Sequence, residues 1–299
     1  IASCLGVTLA ASPPPLAAQD DAPPTPARVV EEAPDDAWRE LDPERTLHIR
    51  LATGGEVIVE LAPDFAPRHV ENILAIVRRG LFDGGAVVRS QDNYVVQWTI
   101  NGSIPEEERA AAFEGLAPAL DAEFTFDPTG LPFTPLSDGD VYAPEVGFIR
   151  GFPVARDPDG GRAWVLHCYG VVGVARGTAA NSGNGTSLYA VNGHAPRHLD
   201  GNLSMPGRVV RGMEHLAVLP RGSGNLGFYE GEEAPVAIVS VQVGSDLPPA
   251  ERTRLEVMRT DSPSFRAWID ARRHRVGAFW THSPGAIEIC NVGVPTRDP

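Results

Sequence analysis

Residues 62–97 read APDFAPRHVENILAIVRRGLFDGGAVVRSQDNYVVQ, a helix signal followed by two strand signals. Pro67 fixes φ at a value suited to a first helical turn, and Gly80 is typical of the position that follows a helix. Between them, apolar residues recur at helical spacing: Val70, Ile73, Leu74 and Val77. Two later runs, 86–89 and 94–100, are rich in β-branched and aromatic side chains. The stretch therefore predicts an amphipathic helix, a tight turn and a pair of strands.

Further strands are predicted on both sides of this stretch. Apolar residues alternate over 47–51 and 57–61, with Ala52-Thr53-Gly54-Gly55 between them, which predicts a hairpin. Residues 164–176 are again typical of strands, and 236–243 are predicted to be a closing strand. The chain should therefore be mainly β.

Motifs in a fixed order give the chain a family resemblance. They are Ala66-Pro67, Val70, Glu71-Asn72, Leu74, Gly80, Phe82-Asp83-Gly84, Arg89, Tyr94, Gln97, Asn184-Gly185-Thr186 with Tyr189, Leu199-Asp200-Gly201, and Val209-Val210-Arg211-Gly212-Met213. In this order and spacing they resemble the cyclophilin family of peptidyl-prolyl isomerases, over roughly residues 45–245. The resemblance implies a closed antiparallel β-barrel flanked by helices.

Two segments exceed a minimal cyclophilin. The first is a long insert at about 101–163, with a helix candidate at 106–116 and a Pro- and Gly-rich stretch that is either a functional lid or poorly ordered. The second is an extension over 246–299, expected to pack on the barrel, with helical candidates at 248–259 and 262–275 and a final strand within 280–294.

Composition restricts the partners. A formal net charge of −14 and a pI of about 5.0 argue against nucleic acid or an anionic membrane surface, since both require a basic face. Outside the N-terminus no run approaches the ~20 apolar residues of a membrane span. Residues 222–227 spell G-x-G-x-x-G, but no helix opens after them, which disfavours dinucleotide binding. No cofactor or metal is predicted.

The N-terminus has the pattern of an export signal. Residues 1–19 are interpreted as a truncated signal peptide with an apolar core and small residues at Ala17-Ala18. The weaker alternative is a lipobox in which Cys4 is acylated, disfavoured because the apolar run continues past it. Residues 20–44 are rich in Pro and Ala and are expected to be a disordered linker. A periplasmic or secreted bacterial protein is therefore expected.

Two cysteines remain once a signal is removed, Cys168 and Cys290. In an oxidising compartment they are either a disulfide that ties the C-terminal tail to the barrel or two buried thiols.

The resemblance also assigns site residues. Rotation about an X-Pro bond faces a barrier of roughly 20 kcal/mol, and a cation aimed at the prolyl nitrogen would stabilise the twisted amide. The resemblance gives this role to Arg89, which alone would be interpreted as a surface arginine. It implies substrate binding by Tyr94, Val95, Gln97, Thr178, Ser187, Tyr189, His198 and Leu203. Gln97 lies eight residues after Arg89, which predicts the same face of the sheet.

Several of these positions depart from the family pattern. Tyr94 and Tyr189 stand where phenylalanine is usual, Ser187 replaces a second glutamine, His198 an aromatic residue and Leu203 a histidine. Reduced or altered activity follows more naturally than loss of fold. The function expected is isomerisation of proline-containing segments of exported proteins. The alternatives are a non-catalytic proline-peptide-binding or chaperone module, and a docking protein that uses the insert and extension.

Overall fold

The computed structural model describes residues 23–233 and 235–299, whose strands form three sheets. The helices are α1 Pro26–Glu31, α2 Pro67–Arg78, α3 Glu106–Ala112, α4 Met213–Ala217 and α5 Pro263–Arg273. The strands are β1 Trp38–Glu40, β2 Thr46–Leu51, β3 Glu56–Leu61, β4 Ala86–Ser90, β5 Tyr94–Thr99, β6 Thr134–Leu136, β7 Glu145–Ile149, β8 Phe152–Asp157, β9 Arg162–Val165, β10 Val171–Val174, β11 Ser187–Asn192, β12 Gly207–Arg211, β13 Val236–Val243, β14 Glu256–Met258 and β15 Thr296–Arg297.

Eight strands close into an antiparallel barrel in the order β10-β11-β5-β4-β13-β2-β3-β12, with β12 pairing back to β10. The predicted hairpin is β2 and β3, and the predicted closing strand is β13. One face of α2 packs on the residues that fill the barrel, through Val70, Ile73, Ile76 and Val77. The prediction of a mainly β protein with a closed barrel and flanking helices is confirmed.

The N-terminus of α2 is capped by the insert. Ala66, at the N-cap position, has no side chain able to accept a hydrogen bond from the first turn. Glu123 supplies the acceptors instead: its carboxylate receives the backbone N–H of Arg68 at 3.1 Å and that of His69 at 3.0 Å, and lies 2.6 Å from His69 Nδ1. Burial alone would raise the pKa of Glu123, but these hydrogen bonds outweigh it and lower that pKa.

We expect Glu123→Gln to lower the free energy of unfolding at pH 7 by about 1 kcal/mol, as for loss of a charged helix cap. Because the pKa of Glu123 is lowered in the folded state, its contribution is complete above the unfolded value of about 4.3 and is lost as the pH falls through the folded value. Urea unfolding should therefore separate parent and variant at pH 7, and the difference should shrink as the pH falls below about 4.3.

A matched control for this variant is Glu107→Gln, which changes an exposed acidic residue in the first turn of α3. It should change the free energy of unfolding by less than about 0.5 kcal/mol. A difference between Glu123→Gln and the parent that is as large at pH 3 as at pH 7 would show that the charge of Glu123 does not provide the cap.

The insert contains a sheet. Strands β6 to β9 form an antiparallel four-stranded sheet in sequence order, so the alternative of a poorly ordered stretch is wrong for this part. The sheet is stable because its strands bury large apolar side chains, among them Phe148, Ile149 and Phe152. Helix α3 confirms the candidate at 106–116 but ends earlier, before Gly115, which has a positive φ of 73°.

The N-terminal segment is ordered from Pro26, which corrects the expectation of a disordered linker over 20–44. Strand β1 pairs with β14 of the extension, and β14 pairs with β15, which makes the third sheet. Val29 and Trp38 are buried, and Arg297 lies over the Trp38 ring at 4.5 Å. The composition of the segment did not reveal these partners because they lie at the other end of the chain. The predicted signal peptide at 1–19 and Cys4 lie outside the described residues.

The extension differs in part from its prediction. Helix α5 confirms the candidate at 262–275, and the Ser262 hydroxyl accepts the Phe265 N–H at 3.0 Å as its cap. Residues 248–259 are not a helix: they include β14, because Leu255 and Val257 alternate into a small core with Ile58 of the barrel. The final strand lies at β15, after the predicted range 280–294.

The extension contacts both the barrel and the insert sheet. Phe265 of α5 meets Phe148 of β7 edge to face, with ring centroids 5.0 Å apart. A disulfide joins Cys290 of the extension to Cys168, which lies between β9 and β10. Among the described helices, none has the length and apolar character needed to cross a bilayer.

Candidate active site

A β-bulge turns Arg89 to the outside of the barrel. Val87 on β4 is buried inside the barrel and pairs with Trp98 on β5. Regular alternation would place Arg89, two residues on, on the same inner face. The register shifts at this point, so Arg89 lies opposite Gln97 on the neighbouring strand. The bulge thus brings Arg89 to the outer face, where Gln97 lies by regular alternation because its neighbours Val96 and Trp98 fill the barrel.

Three neutral acceptors hold the Arg89 guanidinium. Its Nε donates to the Leu226 carbonyl at 2.6 Å, Nη1 donates to the Gln97 amide oxygen at 3.4 Å, and Nη2 donates to the Gln91 amide oxygen. Burial lowers the pKa of Arg89, which nevertheless stays protonated at neutral pH because the ordinary pKa of arginine exceeds 12. The site thus contains a partly desolvated cation.

The Gln97 amide is oriented from both ends. Its oxygen faces Arg89, and its Nε2 donates to the Ser187 hydroxyl on β11 at 3.1 Å. That hydroxyl in turn donates to the Trp98 carbonyl at 3.2 Å. Ser187, which replaces a longer glutamine in the family pattern, therefore acts on Gln97 in this structure.

Two aromatic rings flank the guanidinium, those of Tyr94 at 5.6 Å and Phe228 at 5.3 Å from Arg89 Cζ. The Tyr94 hydroxyl lies 3.2 Å from Nε2 of the exposed His198, and the two rings stack at 5.9 Å. Burial raises the pKa of Tyr94. The predicted residues Arg89, Tyr94, Gln97, Ser187 and His198 are therefore joined by direct contacts.

The other predicted residues fall into two groups. Tyr189 and Val95 are buried in one apolar cluster, and Leu203 is partly buried against it. Thr178 lies in an exposed loop, where its carbonyl accepts from Arg176, so the structure does not bring it to the other site residues by any described contact.

Sequence reasoning missed the loop that covers Arg89. Residues 222–227 form a tight turn after α4 that lies against the end of β4 and positions the carbonyl of Leu226 on the guanidinium. The Gly222 N–H donates to the Ser90 carbonyl at 3.0 Å, and a Cβ at Gly227 would lie 2.7 Å from Gln91 Cα. The glycines of the G-x-G-x-x-G motif thus allow the backbone segments of this turn to approach their neighbours closely. They are the one feature of the sequence that could have indicated the turn.

Comparisons with known proteins agree with this geometry. The family model for "Cyclophilin type peptidyl-prolyl cis-trans isomerase/CLD" matches residues 46–243. A probable peptidyl-prolyl cis-trans isomerase of Brucella suis is 27% identical over 190 residues, which cover 61% of this chain and 74% of that protein; its Brucella abortus counterpart is 26% identical over the same shares. The crystal structure of cyclophilin AquaCyp293 from Hirschia baltica is 31% identical, with a TM-score of 0.63 over 79% of this chain and 87% of that one.

The fold, the matched span and the site together define a peptidyl-prolyl cis-trans isomerase. The chain belongs to the cyclophilin-type family of these enzymes, whose members bind proline-containing peptides.

We expect Gly227→Ala to lower kcat/KM for a proline-containing tetrapeptide about threefold. Gly227 has a φ of +77°, and an added Cβ would also lie 2.9 Å from the Ser90 carbonyl, so the turn must move away from β4 and loosen the Leu226 contact with Arg89. A loss of this size corresponds to about 0.7 kcal/mol of transition-state stabilisation.

Gly231→Ala is the matched control, because Gly231 has a similar φ of +65° with nothing within 4 Å of the added Cβ. It carries the backbone strain without the collision and should keep kcat/KM within twofold of the parent. Equal losses in the two variants would mean that the turn does not act through Arg89.

Proposed function

We propose that this protein accelerates prolyl isomerisation by placing the Arg89 guanidinium against the prolyl nitrogen of a bound peptide. As the X-Pro bond twists, amide resonance is lost and the nitrogen lone pair localises, so a nearby cation stabilises the transition state more than the planar ground state. This chemistry requires no nucleophile.

One observation carries the proposal: the charge of Arg89 is held but not neutralised. Its described acceptors are a carbonyl and two amide oxygens, and no carboxylate of the described residues forms an ion pair with it. An arginine has five N–H donors, and three are used in these bonds. A half-buried cation of this kind acts more strongly on substrate than one paired with an acid in water.

The other side chains have supporting roles in this proposal. Gln97, fixed by Arg89 and Ser187, holds the rotating carbonyl, while Tyr94 and Tyr189 contact the proline ring. Val95 and Leu203 add apolar surface beside Tyr189. The same arrangement, with shorter polar side chains than the family pattern, is compatible with weaker turnover than a typical cyclophilin.

The test is the cis-to-trans rate of a proline-containing tetrapeptide with and without the protein. We expect acceleration that is proportional to protein concentration. If the folded protein leaves both this rate and the proline-limited refolding of an unfolded protein at their uncatalysed values, catalysis is refuted, and the protein is then a non-catalytic peptide-binding module.

We also propose that the clients are exported proteins and that the enzyme acts in the periplasm or outside the cell. The Cys168–Cys290 disulfide supports this, since such bonds persist mainly in oxidising compartments. Cell fractionation combined with thiol alkylation tests it: the proposal expects an oxidised protein outside the cytosol and is contradicted by a reduced cytosolic one.

A further inference from the structure

Tyr189 is buried in the apolar cluster that also contains Val95. The residue is 5% exposed, and its ring lies so close to Gly173 on β10 that a Cβ there would be 2.3 Å from the ring. Burial raises the pKa of Tyr189 well above 10, so the phenol stays protonated. A buried hydroxyl costs free energy unless it has a hydrogen-bond partner, and a phenylalanine here would need none.

His167 provides that partner. It is fully buried, its Nε2 lies 2.8 Å from the Tyr189 hydroxyl oxygen, and the two rings are nearly parallel at 9°. On its other side, Nδ1 lies 2.9 Å from Asp200 Oδ1, which also accepts the His167 backbone N–H at 2.8 Å. A carboxylate only accepts, so Nδ1 carries a proton, and Nε2 is the ring nitrogen that shares a hydrogen bond with the phenol. The hydroxyl oxygen also lies 3.4 Å from Met205 Sδ, which is a weaker hydrogen-bond partner.

The chain of contacts continues into the insert and the extension. Asp200 Oδ2 accepts from Arg197 Nε at 2.6 Å, and the buried Arg197 also binds Asp140 of the insert at 2.8 Å and Glu288 of the extension at 3.1 Å. Each acceptor and donor in this series is paired, so the position of His167 is fixed from both sides.

The side chains proposed to surround the substrate's proline form the proline pocket: Tyr94, Val95, Tyr189 and Leu203. We propose that His167 is a positioning residue of this pocket, because it holds the Tyr189 hydroxyl and thereby fixes the ring that contacts the substrate's proline. The assignment rests on the proposed function, which places a prolyl ring on Tyr189. His167 does not contact the peptide. Its effect is to hold the Tyr189 ring in the binding orientation before the peptide arrives, which lowers the cost of ordering the pocket on binding.

A double-mutant cycle on peptide affinity tests this role. We expect His167→Leu to raise the Kd for a proline-containing tetrapeptide about fivefold in the parent and less than twofold in Tyr189→Phe, because the phenylalanine ring has no hydroxyl to hold. His167→Gln, which keeps a hydrogen-bonding group near the phenol, should stay within twofold of the parent. His48→Leu removes another buried histidine, whose ring contacts Glu56 on β3, and should leave Kd unchanged.

Equal rises in Kd in the two backgrounds, or no rise in the parent background, would overturn the proposal. Kd needs no turnover, so a protein that binds the peptide without accelerating rotation refutes the isomerase proposal, while the Kd pattern still decides the role of His167. Circular dichroism shows which variants are folded at the assay temperature.

If His167→Leu does not fold, the parent and Tyr189→Phe decide the question. Support would be a Tyr189 hydroxyl proton that exchanges slowly in NMR spectra of the parent, with a Kd about fivefold higher in Tyr189→Phe. Either a freely exchanging hydroxyl or an unchanged Kd in Tyr189→Phe would overturn the assignment.

Discussion

We expect Arg89→Ala to lower kcat/KM for a proline-containing tetrapeptide by at least about tenfold, or roughly 1.4 kcal/mol of transition-state stabilisation. The guanidinium is partly desolvated and bonded only to neutral acceptors among the described residues, so the variant removes an uncompensated charge from the site. The planar substrate needs this charge less than the twisted transition state, so kcat should fall more than KM rises. The rate of cis-to-trans conversion at several peptide concentrations separates the two.

Two control variants test whether the loss of activity is specific to Arg89 and to the geometry of its guanidinium. Arg50→Ala removes an exposed arginine from β2, away from the site, and should keep kcat/KM within twofold of the parent. Arg89→Lys keeps a positive charge but loses the planar fork that reaches both Leu226 and Gln97, so an intermediate activity is expected. If Arg89→Ala is folded and keeps kcat/KM within twofold of the parent, the electrostatic role of Arg89 is wrong.

Local pattern was sufficient for α2 and for several strands, whereas the closed barrel was implied by the family resemblance. Pro67, the helical spacing of Val70 and Ile73, and Gly80 are short-range signals, and the structure begins and ends α2 within this frame. The N-terminal segment and the extension could not be predicted in the same way. Trp38 pairs with Met258, and Ile58 packs on Val257, so their order depends on contacts that no local window contains.

The site residues also divide into those that a local motif indicates and those that depend on contacts with distant parts of the chain. Arg89, Tyr94 and Gln97 could be identified because their spacing resembles the cyclophilin motif. Regular alternation would have turned Arg89 into the barrel, and the bulge in the β4–β5 register places it outside. The groups that hold these residues come from distant parts of the chain. Leu226 orients Arg89 and His167 holds Tyr189, and neither carries a local signal for its role.

Removing the disulfide, by Cys168→Ala with Cys290→Ala, should lower the free energy of unfolding by about 2–5 kcal/mol. The bond joins residues separated by 122 positions, so the unfolded chain loses the constraint on a large loop when the bond is absent. In the folded protein, the same bond ties the extension to the segment between β9 and β10, where the insert sheet joins the barrel. Urea unfolding monitored by tryptophan fluorescence measures the difference.

The two single variants provide the internal comparison, because either one abolishes the same bond. Cys168→Ala alone and Cys290→Ala alone should each lose nearly as much stability as the double variant, whereas two independent thiols would give losses that add. A reducing agent should lower the midpoint of the parent and leave that of the double variant unchanged. A parent midpoint that does not respond to reduction, with complete thiol labelling of the reduced protein, would show that the bond does not stabilise the fold.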